Sequence, residues 1–88
     1  MACELRSRAL INSTVADQEG RTAAVLAAYT GRDGVCFDHL DGLTVSAPDW
    51  WFNLRASNTE PLLRLNVEAR DAATVARIRD EVLEIVRG

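Results

Sequence analysis

Apolar and polar residues alternate in several short runs along this chain, while two longer stretches carry apolar residues at helical spacing. Ile11-Asn12-Ser13-Thr14-Val15 alternates and is rich in β-branched residues, which predicts a strand with Ile11 and Val15 on one side. Residues 1–10 carry mixed charge and a weak pattern. They read as a tail or linker, so the domain proper is expected over 11–88. Asp17 is placed to cap a helix, because its carboxylate can accept from first-turn amides that lack a partner. Thr22, Val25, Leu26 and Tyr29 then fall on one helical stripe, and Gly31 suits the left-handed stop that follows.

Val35-Cys36-Phe37 reads as a short strand. Asp41-Gly42 is a hairpin-turn dipeptide, and Leu43-Thr44-Val45-Ser46 alternates as the returning strand. From Trp50 to Arg55 the alternation puts Trp50, Phe52 and Leu54 on one face and Trp51, Asn53 and Arg55 on the other. Trp50 is therefore a core residue. Trp51 is partly exposed or packs on a neighbouring domain. A polar break, Ser57-Asn58-Thr59-Glu60-Pro61, precedes a run in which Leu63, Leu65, Val67 and Ala69 alternate with Arg64, Asn66 and Glu68. These two runs read as a hairpin whose loop is the polar break. Asp71 can cap the last helix, whose stripe is Val75, Ile78, Val82 and Ile85.

The order is thus β-α-β-β-β-β-α. Tight turns between consecutive strands imply antiparallel pairing, and each strand offers one apolar face for the helices to cover. The expected fold class is α+β: two layers, an antiparallel sheet with both helices on one face.

Length and charge narrow the function classes. The chain has 88 residues, enough for one small domain with a modest core. A formal net charge of -3 gives no hint of the basic face that grips nucleic acid, so no nucleic-acid partner is expected. No run approaches the about 18 apolar residues of a membrane span, and the N-terminus has no signal core, so a cytoplasmic protein without a membrane partner is expected. The two cysteines, Cys3 and Cys36, have no metal-ligand spacing and read as reduced thiols. His39, the single histidine, sits between Asp38 and Asp41 without a nucleophile to activate and reads as a turn residue.

The candidate chemistry lies in Arg55-Ala56-Ser57-Asn58-Thr59-Glu60-Pro61. One loop holds a guanidinium, two hydroxyls, a carboxamide and several free amides. Inward-turned amides make an anion nest, and arginine presents a planar fork to phosphate oxygens. Pro61 limits the loop's freedom. Glu60 would repel a bound anion and must point away or pair with a neighbour such as Arg64. Taken alone, the same residues also suit an ordinary polar hairpin turn.

The run from Arg55 to Ala69 resembles the phosphate-binding loop and following strand of the α-D-phosphohexomutase superfamily. Leu40-Asp41-Gly42-Leu43-Thr44-Val45 resembles the stretch before that loop, and Ile11–Val15 the strand that enters the same domain. The resemblance covers roughly residues 9–87. Ala56 and Asn58 together resemble the phosphomannomutase/phosphoglucomutase branch.

The resemblance implies the C-terminal domain of a larger mutase, with a TATA-box-binding-protein-like fold. It implies that Arg55, Ser57, Asn58 and Thr59 clamp the non-reacting phosphate of a hexose phosphate, with possible support from Arg64. The implied partners are mannose or glucose 1- and 6-phosphates and the three other domains of the parent enzyme. No cofactor is expected in this domain; the parent's Mg2+ would sit in an Asp-Gly-Asp-x-Asp loop that this sequence lacks. The catalytic-serine motif and the sugar-reading loop are also missing, so no catalytic residue is expected in this fragment and the isolated domain is expected to be inactive. The alternative expectation is a stand-alone module that binds phospho-ligands or proteins without catalysis.

Overall fold

A computed structural model of the chain describes residues 7–88. Five strands form one antiparallel sheet: β1 (Ser7–Thr14), β2 (Cys36–Asp38), β3 (Leu43–Ser46), β4 (Trp50–Ala56) and β5 (Leu62–Ala69), in the order β1-β5-β4-β3-β2. Helix α1 (Gln18–Tyr29) joins β1 on one edge to β2 on the other, and α2 (Ala72–Arg87) follows β5. Helix α2 rests on β1 and β5, and α1 packs on α2 and β3. Both helices therefore cover one face, as the α+β expectation required.

The alternation along the strands decides which face is covered. Phe52 and Leu54 of β4, Leu43 and Val45 of β3, and Leu63, Leu65 and Val67 of β5 are buried under the helices. Trp50, Phe52 and Tyr29 meet at the centre: Tyr29 stands edge-on to Phe52 at 5.2 Å, and Trp50 lies parallel to Phe52 at 6.0 Å. Burying such rings dominates the core energetics of a small domain. The helix caps form as expected, with Asp17 accepting from the Gly20 amide and Asp71 from the Thr74 amide. The Thr74 amide holds the Asp71 carboxyl below its usual range.

Three expectations need correction. Strand β1 begins at Ser7, so residues 7–10 are not linker: Ser7 through Thr14 pair continuously with Ala69 through Leu62. The pattern there was weak because Arg8 and Leu10 lie on the uncovered face. The rest of the proposed linker, with Cys3, lies outside the described residues. On α2, Leu83 and Val86 are buried while Ile85 is half-buried. That helix packs on both the sheet and α1, so its buried arc is wider than one stripe. Finally, β2 runs from Cys36 to Asp38, one residue later than Val35–Phe37, with Cys36 exposed.

Candidate functional site

Strand pairing places Arg55 of β4 directly opposite Arg64 of β5, just before the hairpin loop closes. Like charges facing each other across a sheet destabilise it, so the pair needs a nearby negative charge or an anionic ligand. Both side chains project from the helix-free face. With Ser57, Asn58, Thr59 and Asp41 they line a cleft of about 520 Å3. All five residues singled out from the sequence, Arg55, Ser57, Asn58, Thr59 and Arg64, are thus brought together. Glu60 is absent from that lining, and among the described residues it forms no ion pair with Arg64.

The loop is shaped from within. The Ser57 amide donates to the Leu62 carbonyl at 3.0 Å, which closes the hairpin. The Ser57 Oγ accepts from the Thr59 and Glu60 amides at 3.3 and 3.2 Å. This corrects the expectation of several free amides: a serine hydroxyl favours such short-range bonds, and it takes two of them. Among the described residues the Asn58 amide keeps no partner. Helix α1 supports the loop from behind, where Gln18 Nε2 donates to the Leu62 carbonyl at 2.7 Å and the Glu60 carbonyl at 3.2 Å. The Pro61 carbonyl accepts from the Val15 amide at 2.8 Å, tying the loop to the end of β1.

Sequence reasoning missed two residues that shape the cleft. Asp41, read as half of a turn and as part of the stretch before the loop but not as a site residue, accepts from Arg55 Nη1 at 3.2 and 3.3 Å through its two carboxylate oxygens. Fourteen residues separate the two, and no local spacing signals the contact. Asn53 was read only as an outward residue, yet its Nδ2 donates to the Asp41 carbonyl at 2.7 Å and to Thr44 Oγ1 at 3.0 Å. Gln18 carries no signal beyond its place after the cap. The cleft continues across the open sheet face as a second hollow bordered by Leu10, Trp51, Asn53 and Asn66. The half-buried Trp51 therefore lies beside the site.

Among the described residues no group of three or more His, Cys, Asp or Glu side chains could hold a metal ion. Among the same residues no helix is long and apolar enough to cross a membrane.

Fold and cleft together define a small two-layer α+β domain that gathers arginine and hydroxyl side chains at one hairpin. The family model "Phosphoglucomutase/phosphomannomutase, C-terminal domain" matches residues 10–85, and the chain belongs to that family of mutases. It is 46% identical over 79 residues, 89% of its length, to a protein of Xanthomonas campestris pv. campestris (strain B100) named "Phosphohexose mutases". It is 42% identical over 77 residues, 86% of its length, to the "Phosphomannomutase" of Salmonella montevideo. The "Phosphomannomutase" of Methanocaldococcus jannaschii is 47% identical over 49 residues, 56% of this chain and 11% of that protein. The chain spans only 17% of the length of the Xanthomonas and Salmonella relatives.

Proposed function

We propose that this domain holds the non-reacting phosphate of a hexose phosphate while a parent phosphomannomutase/phosphoglucomutase moves a phosphoryl group at the other end of the sugar. The observation that carries the reading is the cross-strand pair Arg55–Arg64 at the mouth of a cleft bounded by Ser57, Asn58 and Thr59. Two guanidinium groups match the double charge of a phosphate monoester, and the hydroxyls and the Asn58 amide add neutral donors. Among the described residues Arg64 forms no ion pair, so it is free to meet an anion.

Phosphoryl transfer is catalysed largely by positioning and charge stabilisation. Gripping a distant phosphate uses the binding energy of a non-reacting group to orient the reacting one. A clamp built of generic anion donors accepts a phosphate from either end of the sugar, which suits mannose or glucose 1- and 6-phosphates alike. Sugar choice then belongs to other parts of the parent enzyme. Each of Arg55, Ser57, Asn58 and Thr59 is assigned to the clamp, with Arg64 supporting it.

The test is kinetic. In the parent mutase, Arg55→Ala should lower kcat/KM by roughly 10- to 100-fold, as loss of a hydrogen bond to a charged group does. An unchanged kcat/KM would remove Arg55 from the clamp.

A further inference from the structure

Asp41 is an odd neighbour for an anion site. Its carboxylate sits in the cleft and bonds Arg55, although a negative charge there opposes a phosphate. The pair is exposed, with 48% of the Arg55 side chain and 72% of the Asp41 side chain accessible, so it adds little to stability. Yet the turn that presents Asp41 is firmly built. Asn53 holds the Asp41 carbonyl at 2.7 Å. Gly42 follows with φ of +74°, and a Cβ there would lie 2.6 Å from the Leu54 carbonyl oxygen and 3.1 Å from Arg55 Cα. The turn is therefore packed onto β4 at Leu54 and at Arg55 itself.

We infer that Asp41 is a positioning residue that pre-orients the Arg55 guanidinium for the phosphate. The inference rests on the phosphate reading above and assigns a role that reading does not need. Asp41 engages only Nη1. The edge formed by Nη2 and Nε remains open to bond two phosphate oxygens side by side. Immobilising a long side chain in advance is worth roughly two- to tenfold in affinity. Repulsion between an exposed carboxylate and a phosphate several ångströms away, screened by physiological salt, costs about twofold. Positioning outweighs repulsion while Arg55 is present. Without Arg55 only the repulsion remains.

That reversal of sign is the test. Inorganic phosphate is titrated into the 88-residue chain, with amide shifts of residues 57–59 as the readout, for the unsubstituted chain, Asp41→Ala, Asp41→Asn, Arg55→Ala and Asp41→Ala/Arg55→Ala. Asp41→Ala should weaken binding by up to about fivefold with Arg55 present and leave it unchanged or slightly tighter in the Arg55→Ala background. Asp41→Asn, which keeps an acceptor oxygen, should recover part of the loss. Tighter binding by Asp41→Ala alone would overturn positioning and make Asp41 a competitor. An equal loss in both backgrounds would also overturn it, because a collapsed turn weakens binding whether or not Arg55 is there. Failure of the underlying reading looks different: the unsubstituted chain then shows no saturable shifts, or Arg55→Ala binds phosphate as well as the unsubstituted chain does.

Discussion

Ser57 shows how one hydroxyl can shape a loop. Its Oγ takes the Thr59 and Glu60 amides, so the turn is held before any ligand arrives. Ser57→Ala should speed hydrogen exchange at those two amides while costing about 1 kcal/mol or less, since the turn lies near solvent. Slow exchange retained in that variant would mean the turn is held by other bonds. Tyr29 is the corresponding residue of the core. Its ring is buried and its hydroxyl donates to Glu81 Oε1 at 2.8 Å, with the Arg32 guanidinium 4.1 Å above the ring centre. Burial, and then the Glu81 carboxylate, push the phenol well above its ordinary value of 10.0. A folded-state value above the unfolded one gives stability that is complete below about pH 10 and is lost as pH rises toward the folded value. Alkaline denaturation should therefore steepen above pH 10, and Tyr29→Phe should flatten that limb while costing about 1 kcal/mol at neutral pH. An unaltered alkaline limb in Tyr29→Phe would assign the effect to another group.

At the scale of elements, the strands were legible because period-two alternation coincides with burial. Trp50, Phe52 and Leu54 turn inward while Trp51, Asn53 and Arg55 turn out. Both caps were legible because an aspartate precedes each helical stripe. The start of β1 was not, since its outward residues include Leu10, which is 72% exposed and blurs the pattern. The candidate cleft was legible where it is local, in the hairpin loop, and where a resemblance reached Arg64. Its long-range supports were hidden: Gln18 reaches Leu62, and Asp41 reaches Arg55, across gaps that no periodicity encodes. Gly42 joins the two kinds of information. Glycine was readable as a turn residue, but its contact with β4 was not. Gly42→Ala combines a left-handed backbone with a clash against the Leu54 carbonyl, so it should destabilise by about 2 kcal/mol or more, read as a lower urea midpoint. Gln18→Ala should cost about 1 kcal/mol and loosen the loop, visible as faster exchange of the Ser57 amide.

For the whole molecule, the division of labour between the two sheet faces is the main feature. The helix-covered face supplies stability, and the open face carries the cleft. A domain of this size has about 4–13 kcal/mol in hand, so one large core deletion is decisive. Phe52→Ala, at a fully buried position between two aromatic rings, should cost about 3–5 kcal/mol and leave a chain that is largely unfolded on mild heating. Substitutions on the open face, such as Arg64→Ala, should leave the melting temperature nearly unchanged or raise it, because they relieve the repulsion between two facing arginines. That separation lets the site be altered without losing the fold, which a binding study needs.

The most direct measurement is an amide-resolved NMR titration of the chain with mannose 1-phosphate, glucose 6-phosphate and inorganic phosphate. The account predicts saturable shifts confined to Ser57, Asn58, Thr59 and the Arg55 and Arg64 side chains, similar for all three ligands. An absence of local shifts at millimolar ligand, or shifts that follow the sugar and ignore the phosphate, would contradict it.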